Sequence, residues 1–114
     1  MISYYRKAIM FMTNIETVPG MTITTSHGVV SGSTVRAKHV GRDIMAGLKN
    51  IVGGELRGYT ELLEESREQA IERMKAQAQQ MGANAIVNVR FSTSSVAAGA
   101  AEIYVYGTAV TVRS

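Results

Sequence analysis

The stretch from Glu102 to Val112 is apolar on both of its alternating faces, and this narrows the possible architecture more than any other feature of the chain. Successive side chains of a strand point to opposite sides of the sheet. Ile103, Val105 and Ala109 therefore lie on one side, and Tyr104, Tyr106, Val110 and Val112 on the other. Such a strand must be covered twice. It either runs centrally under helices or has its second face buried by another subunit.

The segments before it supply possible covers. Ala85 to Thr93 reads as a half-buried strand, with Val87, Val89 and Phe91 on one face and Asn88, Arg90 and Ser92 on the other. Small residues from Ser94 to Ala100 predict a loose hairpin that makes the last two strands antiparallel. Near the start, Phe11 to Ile15 reads as a short strand closed at Val18-Pro19-Gly20-Met21. The β-branched run Thr22 to Val35 follows, and period-two reading places Met21, Ile23, Thr25, His27 and Val29 on one face. Gly28 and Gly32 interrupt it, which predicts a bulge or bend.

Two helices lie between these strands in the reading. Gly41 to Ile51 carries Ile44, Leu48, Ile51 and Val52 on one stripe and ends at Gly53-Gly54. A longer helix, about Tyr59 to Met81, repeats Leu63, Ala70, Met74, Ala78 and Met81. Thr60 is its expected N-cap and Gly82 its C-terminal stop, with Glu61, Glu64, Glu65 and Glu68 toward the positive end of the dipole. The order strands, two helices, strands predicts an α+β domain, two-layered, with helices on one face of a mainly antiparallel sheet.

Composition removes several functional classes. At 114 residues the chain makes one domain able to bury roughly two thirds of its unfolded surface without staples. It has no cysteine, which excludes disulfides and thiolate metal sites. No apolar run approaches the ~20 residues of a membrane span, and Thr13-Asn14 breaks the only leader-like run short of the ~7 to 15 residues of a signal core. The expectation is a cytoplasmic protein with no membrane partner. Arg36, Lys38, Arg42, Lys49 and Arg57 outnumber Asp43 and Glu55, an excess that favours an anion. No aromatic residue is interleaved before Tyr59, so nucleic acid is not the expected partner. Only 18% of residues are charged, which hints that a partner covers part of the surface.

The candidate chemistries are thin. His27 and His39 have no carboxylate at ligand spacing; Asp43 is the nearest completion of a two-histidine site. The seven methionines are scattered, and Met74 and Met81 fall on a core stripe rather than a soft-metal site. Glu61, Glu65, Glu68 and Glu72 share a helix face that reads as solvated. Gly53-Gly54 follows a helix rather than a strand and fits no nucleotide fingerprint. No nucleophile, base and orienting acid can be assembled, so no enzyme is expected and no cofactor is predicted. Arg42, Asp43, Arg57 and Tyr59, where charge meets helix ends, are the candidate ligand-binding residues. A metal site remains unknown.

Several blocks together resemble the YbjQ family of small bacterial and archaeal proteins, whose label is heavy-metal binding. They are Gly28-Val29-Val30-Ser31-Gly32, Arg42-Asp43 to Gly53-Gly54, Glu65 through Ala70, Met81-Gly82-Ala83-Asn84-Ala85-Ile86-Val87 and Gly107-Thr108-Ala109-Val110. The resemblance covers about Thr13 to Val112, which leaves residues 1–9 as an N-terminal extension to a single domain over 10–114. It implies a ring-shaped homopentamer, self-association being the expected partnership. It implies no biochemical activity. Ser33 stands where the family pattern leads one to expect glutamate, and Ser92 where it leads one to expect aspartate, so both departures weaken a cation site. The expected function is a non-enzymatic ring that binds a small ligand or ion or scaffolds a partner. The alternative is heavy-metal binding or sequestration.

Overall fold

The computed structural model describes residues 9–36, 57–97 and 100–114. Strands β1 (Phe11–Met12), β2 (Thr22–Arg36), β3 (Ala85–Ala97) and β4 (Ala100–Arg113) form one mixed sheet in the order β1-β3-β4-β2. Helix α1 (Arg57–Gln80) lies on one face of it, mainly against β2. The α+β class and the largely antiparallel sheet are as expected. β1 is the exception, pairing parallel to β3 at Phe11–Ala85 and Met12–Ile86. The helix expected over Gly41 to Ile51 and its diglycine stop lie outside the described residues. Among the described residues no helix is long and apolar enough to cross a membrane.

The doubly apolar strand is internal, flanked by β2 and β3. On the helix side Ile103, Val105 and Ala109 join Val30, Ala70, Met74, Ala78, Ala83, Ile86 and Val89 in the main core. On the far side Val110 and Val112 join Ala85 and Val87, and the turn residues Val18 and Met21 pack over them. The chain thus covers the C-terminal half of the second face itself. Tyr104 and Tyr106, further back on the same face, stack on each other with centroids 5.5 Å apart.

One sequence-based detail is borne out and two are corrected. The bulge expected in β2 is present, with register shifts between Ile23 and Thr25 and between Ser26 and Gly28, where Gly28 has φ 105°. Each shift inserts a residue and turns the following side chains over. Val29 is left exposed while Val30 and Thr34 are buried under the helix. Val87 and Val89 do not share a face. Asn88 (φ 55°) and Val89 together stand opposite Gly107, a bulge that sends Val87 to one core and Val89 to the other. The small-residue stretch after Thr93 is not loose: β3 and β4 stay paired out to Ala97 and Ala100.

Gly32 causes no register shift. Its missing side chain lets α1 approach: a Cβ there would stand 2.1 Å from the Ala70 carbonyl oxygen and 2.7 Å from the Met74 nitrogen. Ala70, Met74 and Ala78 form the expected buried stripe, and the glutamates from Glu61 to Glu72 are exposed. Because the helix already runs from Arg57, Thr60 is inside it rather than its cap. Its first turn holds no acidic residue and its last turn no basic one. The dipole effect fades within a turn, so those glutamates contribute little to it. Met81 is exposed because the helix ends just before it. Gly82, with φ 86°, donates to the Gln79 carbonyl while Ala83 donates to Ala78, the Schellman closure that a glycine at this point permits.

Candidate ligand-binding site

The residues singled out by sequence are not brought together among the described residues. Arg42 and Asp43 lie outside them, as does His39. Arg57 and Tyr59 fall in the first turn of α1. His27 is part-buried and its Nε2 lies 2.7 Å from the Thr111 hydroxyl, a hydrogen bond that ties β2 to β4. Among the described residues no three of His, Cys, Asp and Glu come together as a group that could hold a metal ion. Ser33 and Ser92, the positions where acids were expected, both stand opposite Tyr104, one on each side. Acids there would flank the tyrosine on one face, whereas here hydroxyls do.

A site that the sequence did not reveal forms at the β1–β3 edge. β1 is short, yet its hydrogen bonding to β3 continues beyond it. Thr13 donates to the Ile86 carbonyl, Val89 donates to Thr13 and Asn88 donates to Ile15. The left-handed Asn88 turns its own N–H and that of Val89 toward this incoming chain. The bulge thereby aims the next residue, Arg90, at the place where the β1 segment leaves the sheet. Arg90 Nη1 donates to the Asn14 carbonyl at 2.7 Å and to its neighbour, the Val89 carbonyl, at 3.0 Å. An open groove of about 430 Å³ lies there, lined by Met12, Thr13, Asn14, Val89, Arg90 and Phe91.

This groove combines a fixed guanidinium with apolar walls. Phe91 is 48% exposed and Met12 38%, so both present apolar surface to the groove. Alternation had placed Arg90 on an ordinary solvated face. The overlooked signal was Asn88 within a β-branched run, since asparagine is among the few residues that enter the left-handed region readily.

The chain belongs to a known family. Residues 10–113 match the family model described as "Putative heavy-metal-binding", and the chain is a member of this family, YbjQ. The chain is 72% identical over 104 residues to a UPF0145 protein of Hahella chejuensis, covering 91% of this chain and all of the relative. A UPF0145 protein of Archaeoglobus fulgidus is 57% identical over 104 residues, covering 91% of this chain and 96% of that one. A crystal structure of a DUF74-family protein of unknown function from Pediococcus pentosaceus superposes with a TM-score of 0.60. It is 17% identical and the match covers 91% of this chain and 98% of that one, a likeness of fold alone.

Proposed function

We propose that this chain is a cytoplasmic, non-enzymatic subunit of a homo-oligomeric ring, a pentamer, that binds a small ligand or ion or scaffolds a partner. The observation that carries this reading is the pair of different apolar surfaces on the two outer segments of the sheet. On the β1 side Ile9 is 67% and Ile15 48% exposed; on β2 Val29 is 69% and Val35 53% exposed. Contact between two unlike surfaces runs head to tail, and such contacts close into rings when the rotation permits. The second helix expected over Gly41 to Ile51 belongs to the same reading, as does a domain over 10–114 preceded by an extension. Size-exclusion chromatography with light scattering tests the ring: a stable monomer at micromolar concentration would refute it.

The ligand of the ring is placed at Arg42, Asp43, Arg57 and Tyr59, where basic residues outnumber acids. Charge reversal of Arg42 and Arg57 should abolish thermal stabilisation by small anions if this placement holds; unchanged stabilisation would remove it. Heavy-metal binding is the second reading, favoured by the family description. Elemental analysis of untagged, assembled protein tests it, and sub-stoichiometric metal throughout would count against it.

A further inference from the structure

We propose that the groove at the β1–β3 edge is a second binding site, one that takes the carboxylate of a small acid with an apolar or aromatic body, with Arg90 as its anchor. Both hydrogens of Arg90 Nη1 are directed to main-chain carbonyls, those of Asn14 and Val89. Among the described residues no carboxylate pairs with this guanidinium. Its Nε–H and Nη2–H edge is therefore left as a parallel pair of donors, the fork that matches the two oxygens of a carboxylate. Lysine offers no such fork. The two carbonyl bonds also hold the guanidinium before any ligand arrives, which lowers the ordering cost of binding.

The rest of the groove sets the class of ligand. Its volume of about 430 Å³ falls within the size of small-molecule sites, roughly 300–1,000 Å³. Phe91, Met12 and Val89 give apolar contact beside the charge, which inorganic phosphate would leave unused. No carboxylate is among the lining residues, so a cationic ligand finds no counter-charge there. The site stands independently of the ring and of the Arg42–Tyr59 placement.

The test uses benzoate as the probe, with benzyl alcohol and inorganic phosphate as controls, on the full chain followed by amide chemical shifts and calorimetry. Benzoate should saturate, with shift changes centred on Thr13, Asn14, Arg90 and Phe91. Benzyl alcohol should not saturate, and phosphate should bind more weakly than benzoate. Arg90→Gln and Arg90→Lys should each weaken benzoate by about tenfold or more, because neither offers the fork. Should the Arg90 variants fail to fold by circular dichroism, Phe91→Ser keeps the fork and decides. It should weaken benzoate and leave phosphate unchanged. No saturable benzoate shifts at these amides, equal binding of benzoate and benzyl alcohol, or unchanged benzoate affinity in folded Arg90→Gln would each overturn the proposal. Light scattering on the same samples reports assembly separately.

Discussion

The two outer segments of the sheet are managed in opposite ways. β2 is a 15-residue outer strand, and a long free edge invites pairing with other chains. Here α1 guards its middle. Gln77 accepts a hydrogen bond from the Ser31 N–H at 2.8 Å, and Arg73 donates to the Ser33 carbonyl. Thr34 adds a buried bond from its hydroxyl to the Ser66 carbonyl. On the other side β1 pairs over only Phe11–Met12 before its chain turns away, and a bulge and one arginine finish the edge. One edge is sealed by a helix packed almost to backbone contact, while the other is left as a groove with a charge in it. The lesson is that sealing takes a glycine and a long helix, whereas opening a site takes a bulge and a short strand.

Changes at three places press on this contrast, in decreasing order of effect. Gly32→Val should be the most damaging. A side chain there meets main-chain atoms of α1 rather than a flexible side chain, so the helix must lift from β2, at a cost of about 3 kcal/mol or more. Urea unfolding followed by circular dichroism checks this, and a change below about 1 kcal/mol would mean the helix is not seated closely. Arg73→Ala combined with Gln77→Ala should remove the guard without touching the core. The expected loss is about 1–3 kcal/mol for two hydrogen bonds, with increased self-association by light scattering as the strand edge is bared.

Asn88→Val should have the smallest effect of the three, about 1–2 kcal/mol, because a β-branched residue fits the left-handed backbone poorly. Asn88→Gly should remain within a few tenths of the original stability. If valine and glycine behave alike at this position, the bulge is not what aims Arg90. Thermal unfolding of the two variants makes the comparison.

Much of this fold was legible because its signals are periodic. The alternation of β4 predicted a strand covered twice, and the stripe Ala70, Met74, Ala78 predicted the buried side of α1. The glycine stop at Gly82 was equally plain. What escaped was mostly what depends on breaking a period. Gly28 signalled a bulge in β2, and one is there, whereas the bulge that parts Val87 from Val89 was marked only by the single Asn88. The parallel seat of β1 was hidden for another reason: its bonds are mostly main-chain, and main-chain bonds carry no residue preference. The Arg90 groove depends on both, so alternation placed that arginine on a solvated face. The family was readable from blocks such as Met81-Gly82-Ala83-Asn84, while Arg42 and Asp43 lie outside the described residues.

The contrast between the edges bears on assembly as well as on ligand binding. With the middle of β2 capped by its own helix, Val29 and Val35 on one side and Ile9 and Ile15 on the other are among the most exposed apolar residues left to meet a neighbour. Native mass spectrometry of the untagged protein tests this most directly. One closed species, a pentamer, should persist at micromolar concentration. A monomer at every concentration examined would contradict it.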